Sequence, residues 1–172
     1  MKQLFYIIGL LLAASTIFFA SCGVGRGTRQ SVEINGVRWA TVNVETPGTF
    51  ARNPESAGGF FTFDEAQNAC PRGWRLPTHE ELQSLVDAGS EWTTQNGVNG
   101  RLFGSGRNQL LLPAAGLRGT TGALSQVGNL GYYWSSTAWS AGNGEFLFFR
   151  SDHSSVGRYS RTTGFSVRCV SE

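Results

Sequence analysis

Cys70-Pro71-Arg72-Gly73-Trp74-Arg75-Leu76-Pro77-Thr78-His79-Glu80-Glu81-Leu82 is the stretch from which the fold is read. Pro71 and Pro77 fix the backbone path, because each ring locks one dihedral and removes a donor. Trp74 and Leu76, the large apolar residues between them, are core anchors. Thr78 followed three residues later by Glu81 is a capping box, the reciprocal arrangement that opens a helix. Leu82, Leu85 and Val86 then make one apolar stripe, Asp87-Ala88 ends it, and Gly89 supplies the left-handed stop. A shorter helix with the same signature, Thr62 with Glu65, precedes it.

Toward the N-terminus, Val32-Glu33-Ile34 and Val37-Arg38-Trp39 alternate in polarity around Asn35-Gly36, the pair favoured in a two-residue hairpin turn. From Pro47 to Gly59 the composition is that of a loop, with Asn53-Pro54-Glu55 read as a turn. Toward the C-terminus, Gly-rich and Asn-rich turns follow Glu91, then a strand-like Leu110-Leu111-Leu112-Pro113. Two further strand-like segments, Gly131 to Thr137 and Gly164 to Val170, flank a stretch crowded with aromatic, polar and glycine residues. Strand alternation places Phe146, Phe148 and Arg150 on one face and Leu147 and Phe149 on the other. Only one of those faces is expected to be core, so the other needs a partner.

The chain has 172 residues, 40% hydrophobic and 15% charged, which fits one globular domain and not a disordered segment. Its 23 glycines are scattered without a period, so a loop-rich domain is favoured over a solenoid or collagen-like array. Residues 1–21 read as a secretion signal: Lys2 gives a positive start and Leu4 to Phe19 an apolar run ending at Ala20-Ser21-Cys22. Small residues before a cysteine resemble the bacterial lipoprotein cleavage box, in which Cys22 becomes the lipidated first residue. A membrane-spanning helix is the alternative, since the run approaches the roughly 20 residues a bilayer needs. Residues 22–31 are a glycine-rich tether, and 32–172 the domain.

Setting Cys22 aside for lipid leaves Cys70 and Cys169, an even pair in a chain bound for an oxidising compartment, and a bridge between them is expected. Two buried free thiols are the other reading. No metal site is expected, because no two cysteines or histidines lie at ligand spacing, and no cofactor is expected. Without the signal the chain carries 13 arginines, no lysine and 12 acids, a net charge of 13 − 12 = +1, so no nucleic-acid partner is implied.

Taken together, the Val32 to Ala40 hairpin, Cys70 to Leu82, Leu112-Pro113-Ala114-Ala115-Gly116, Gly131 to Thr137 and Gly164 to Val170 resemble the Fibrobacter succinogenes major paralogous domain over roughly residues 32 to 172. The resemblance implies an α+β, C-type-lectin-like domain with two short helices, a small mixed or antiparallel sheet, long loops and neighbouring chain ends. It extends to the variable proteins of diversity-generating retroelements, whose mutagenesis at adenines changes surface positions near the C-terminus. By that likeness Trp134 to Thr137, Leu147, Phe149, Val156 and the last strand are frame. The variable positions are drawn from Tyr132, Ala138, Trp139, Ser140, Asn143, Phe146, Phe148, Arg150, Asp152, His153, Gly157, Arg158 and Tyr159, and of these Tyr132, Trp139, Asn143, Phe146, Phe148, Arg150, Asp152, His153, Arg158 and Tyr159 are the ten expected ligand contacts.

An exposed patch of tryptophan, phenylalanine, tyrosine and arginine is anchor chemistry for recognition, so the expected function is binding of a protein or glycan ligand by a lipid-anchored outer-membrane protein. The alternative at Trp139, Phe146 and Phe148 is packing beneath a neighbouring loop. Calcium-dependent sugar binding is not expected: Trp134 is followed by Ser135-Ser136, and acids are few after residue 131. Catalysis is not expected either. The fold resembles that of formylglycine-generating enzymes, but the reactive cysteine pair is missing. Asp152-His153-Ser154 are chain neighbours that cannot converge as a triad. His153 reads as a surface contact and His79 as a polar residue of the helix's first turn. A passive surface lipoprotein is the remaining alternative.

Overall fold

The computed structural model describes residues 30–172; the signal segment, Cys22 and all but the end of the tether lie outside them. In chain order the elements are β1 (Ser31–Ile34), β2 (Val37–Ala40), β3 (Val44–Thr46), β4 (Thr49–Phe50), α1 (Phe63–Ala66), β5 (Trp74–Arg75) and α2 (His79–Asp87). They continue with β6 (Ser90–Gln95), β7 (Val98–Ser105), β8 (Asn108–Pro113), β9 (Leu117–Arg118), β10 (Leu124–Ser125), β11 (Gly131–Ala138), β12 (Asn143–Arg150), β13 (His153–Ser160) and β14 (Val170–Ser171). The domain is therefore mostly β with two helices, compatible with α+β.

Local sequence signals account for the elements at both ends. Asn35 and Gly36 both adopt positive φ, 50° and 79°, which gives β1 and β2 the turn twist that a two-residue hairpin requires. Both capping boxes form: Thr62 and Thr78 accept from the Glu65 and Glu81 amides while the glutamates reach back to the threonine amides. Helix α2 stops at Ala88, with Gly89 at φ 77°.

Two expectations are corrected. The region after Glu91 is a three-stranded antiparallel meander, β6-β7-β8, and not merely turns before one strand. Its first turn is a second Asn-Gly pair, Asn96-Gly97, again with positive φ at both residues. Gly164 to Val170 is not one regular strand. Its backbone is extended but bonds in succession to different partners: Gly164 with Arg118, Phe165 with Phe61, Ser166 with Tyr132 and Trp134, Val167 with Val44 and Cys169 with Ala40. Only Val170–Ser171 joins a sheet, between β2 and β5. The resemblance implied one small mixed or antiparallel sheet; among the described residues there are three larger sheets and two ribbons, all antiparallel apart from the single parallel bridge Tyr133–Ser166.

Sheet β1-β2-β14-β5 sets the first strands beside the last, and the Cys70–Cys169 disulfide staples the same region across 99 residues of sequence. The bridge read from cysteine arithmetic is therefore formed, with Cα atoms 6.0 Å apart.

Sheet β11-β12-β13 is the centre of the molecule because it has core on both sides. Tyr133, Leu147 and Phe149 face a cluster with Leu82 and Leu85 of α2, Trp39, Phe103, Leu110 and Leu112. Tyr132, Trp134 and Phe146 face a second cluster with Val44, Phe61, Phe63, Leu76, Phe165 and Val167. The partner that the second face needed is thus the chain itself, largely the 60–63 segment and the extended 163–167 run. Beneath the sheet lies a buried polar network. Arg168, 1% exposed, donates to Asn43 Oδ1 and the Ala40 carbonyl, and Asn43 donates to the Ser56 and Ala57 carbonyls and the Tyr133 hydroxyl. Burial pushes the Tyr133 hydroxyl up to about 12 and draws the Arg168 guanidinium down to about 10.

Candidate ligand-binding surface

The ten residues singled out as ligand contacts are not one patch. Tyr132 and Phe146 are buried, 8% and 6% exposed, and Phe148 is half-buried. Their expected display is corrected: the packing alternative holds for the two phenylalanines but not for the exposed Trp139, and Tyr132 is buried with them. Tyr132 stacks on Phe165 at 5.0 Å between ring centres and on Phe146 at 5.8 Å, and Phe146 also lies 5.0 Å from Phe165 and 6.2 Å from Trp134. A ring cluster this dense exists because the extended 163–167 run covers that face of the sheet. Burial also holds the Tyr132 hydroxyl above its usual range.

The exposed members fall into two groups at opposite ends of β12, which spans about 24 Å at the rise of a strand. One group is the turn after that strand: Arg150, Asp152 and His153 are all exposed. Arg150 Nε lies 2.7 Å from Asp152 Oδ1, so much of its charge is satisfied locally. The other group is the β11–β12 turn with the far end of β13: Trp139, Asn143, Arg158 and Tyr159. The Trp139 amide donates to the Asn143 carbonyl at 3.0 Å, which closes the turn and holds the indole at its tip, 53% exposed. The Arg158 guanidinium stacks on that indole at 3.1 Å from the ring centre, a cation–π contact. Tyr159, 41% exposed, leans on the buried rings, 5.4 Å from Phe165 and 5.8 Å from Phe146.

Two residues of this end escaped the sequence reading. Glu145 shares the inward face of β12 with Leu147 and Phe149 and is 5% exposed. His79, at the first position of α2, brings Nδ1 to 2.8 Å from Glu145 Oε2. Arg158, directly opposite Glu145 in the register, places Nε 3.8 Å from Glu145 Oε1. These three side chains with Val156 and Gly157 line a shallow depression beside Trp139. The signal that could have found Glu145 was its parity: an acid on the apolar side of an alternating strand needs a basic partner. His79 could not be found that way, because its distance to Glu145 depends on how α2 lies across the sheet.

The frame around this end is built by Trp134-Ser135-Ser136-Thr137, where the β11–β12 register shifts between Trp134 and Ala138. Ser135 Oγ donates to the Glu145 carbonyl, the Ser136 amide to the Pro77 carbonyl, and Thr137 Oγ1 accepts from the His79 amide. The bulge therefore joins the helix start to the display turn. A model of the Lcl C-terminal domain matches residues 33–171. The chain belongs to the Lcl C-terminal domain family. That membership agrees, at the level of the domain, with the paralogous-domain likeness drawn from the sequence. No curated protein and no solved structure matches this Lcl C-terminal domain chain.

Proposed function

We propose that this protein is a cell-envelope lipoprotein, acylated at Cys22 and held at the outer membrane, that binds a protein or glycan ligand through the Trp139 end of its central sheet without catalysing a reaction. The observation that carries the reading is Trp139, an indole 53% exposed at the tip of a closed turn with a guanidinium stacked on it. A large aromatic ring presented to solvent at a turn tip offers apolar area for a partner to cover, and Trp and Arg are the residue types that dominate binding energy at such surfaces. Asn143 and Tyr159 extend the same surface, while Phe146, Phe148 and Tyr132 support it from below.

A C-type-lectin-like fold belongs to the same proposal. Support comes from the neighbouring chain ends in one sheet, the disulfide beside them and the two short capped helices. Diversification by a retroelement is proposed only for exposed positions, since variation at buried Phe146 or Tyr132 would be paid for in stability.

Binding of the full-length protein and its Trp139→Ser and Arg158→Ser variants to arrays of glycans and envelope proteins tests the reading. Loss of a wild-type ligand in both variants with melting preserved is expected; ligands bound equally by all three would refute it. For diversification, a neighbouring reverse-transcriptase gene and a near-copy of the gene's 3′ end differing only opposite adenines are expected, and their absence rejects that part alone.

A further inference from the structure

Among the described residues, the central sheet is open on one side only. The outer edge of β11 is occupied by the extended C-terminal run, through Trp134 N to Ser166 O and Ser166 N to Tyr132 O. At the other edge, β13 pairs with β12 in unbroken register over all eight residues, from His153–Arg150 to Ser160–Asn143. Among the described residues, no backbone or side-chain group bonds to the backbone of residues 153–159 from the side away from β12. Helix α2 packs against the Val156 face of this strand, but the strand itself has no proline, no bulge and no lysine, and its charged residue Arg158 turns aside to Trp139 and Glu145. The edge strand β6 is shorter and bears an exposed glutamate, Glu91.

We propose that β13 pairs antiparallel with β13 of a second copy of this chain, joining two three-stranded sheets into one of six strands about a two-fold axis. The choice of occupant comes from self-complementarity. A two-fold axis perpendicular to the sheet keeps each face continuous, so facing residues share parity and their numbers sum to an even value. Centring the pair on Val156 sets half-buried Val156 against its own copy, Ser155 against Gly157, Ser154 against Arg158 and His153 against Tyr159. No like charges face each other and small residues meet at the middle. Of the two neighbouring even registers, the one centred on Gly157 sets Val156 against Arg158, an apolar side chain against a charge, and the one centred on Ser155 sets it against the polar Ser154. The pairing depends on main-chain atoms and is independent of the ligand reading.

Single cysteines at 154, 155, 156, 157 and 158 of the full chain in detergent, oxidised mildly and run on non-reducing gels, test the geometry. Residues facing their own copy across an antiparallel pair bring Cβ atoms within about 4.5–5.5 Å, within reach of a bridge. The dimer band is expected to be strongest for Val156→Cys and to fall on both sides. Bands no stronger than that of a Thr93→Cys control on β6, or equal at all five positions, overturn the proposal. Light scattering gives a second readout that does not need a cysteine. The parent chain and Ser155→Thr are expected at twice the protomer mass and Ser155→Lys at the protomer mass with melting unchanged; a parent chain at protomer mass, or a lysine variant still at twice that mass, overturns it.

Discussion

Replacing Phe146 by alanine separates the two roles that the sequence assigned to one strand face. Phe146 is 6% exposed and touches four other rings, with centre distances of 5.8 Å to Tyr132, 6.2 Å to Trp134, 5.8 Å to Tyr159 and 5.0 Å to Phe165. Truncating a buried phenylalanine costs about 3–5 kcal/mol, transfer and cavity terms together. Collapse of the hole is resisted here, because the residue opposite is Gly157 and the neighbouring rings are held by the backbone bonds of Phe165. At about 2–4 °C per kcal/mol for a domain of this size, melting should fall by about 6–20 °C. Trp139→Ala loses an exposed ring and one cation–π contact, about 1 kcal/mol or less, so its melting should drop by only a few degrees. Near-UV circular dichroism against temperature reads both variants on the oxidised protein. A Phe146→Ala protein melting within about 3 °C of its parent would refute the two-sided core.

Three further outcomes follow from the packing and the buried polar groups. Gly131→Ala should destabilise by about 1–3 kcal/mol, because a methyl built there overlaps the buried Phe149 ring, while Gly142→Ala, with open space around it, should change melting little. The Cys70→Ala/Cys169→Ala double variant should lose about 4–5 kcal/mol in urea unfolding on loop entropy for a separation of 99 residues; equal stability would show that the staple does not constrain the unfolded chain. Tyr133 ionises near 10.0 when unfolded and near 12 when folded, so its stabilisation is complete below pH 10 and is lost as pH rises toward 12. Two pH units correspond to about 3 kcal/mol, and the difference titration between wild type and Tyr133→Phe should place the missing phenolate absorbance near 12 and not near 10. Arg168, drawn down to about 10, acts with the opposite sign in that window, which is why the difference between the two proteins is the quantity to measure.

Much of the fold was legible because local chemistry dictates it. Asn35-Gly36 fixed one hairpin, Thr62/Glu65 and Thr78/Glu81 fixed two helix starts, and the pairing of Cys70 with Cys169 required only counting. The β6-β7-β8 meander was missed although Asn96-Gly97 carries the same turn signal as Asn35-Gly36, since its flanking residues alternate weakly. The face of Phe146 and Phe148 was assigned correctly by alternation, yet its burial was not readable. Strand parity says which residues share a side, whereas the residues that cover that side, Phe61, Phe165 and Val167, come from remote segments whose path has no local signature. The same limit hid the contact between His79 and Glu145. The division of the exposed residues into two groups was, by contrast, implicit in strand length: an eight-residue strand sets Asn143 about 24 Å from Arg150.

Hydroxyl-radical footprinting with residue-level mass spectrometry measures directly whether the displayed tryptophan and tyrosine rings are confined to one end of a sheet that is core on both faces. Trp139 and Tyr159 should oxidise rapidly, while Trp134, Tyr132 and Phe146 are protected in the folded protein and become reactive only on unfolding. Oxidation of Phe146 and Tyr132 at rates matching Trp139 would contradict the account.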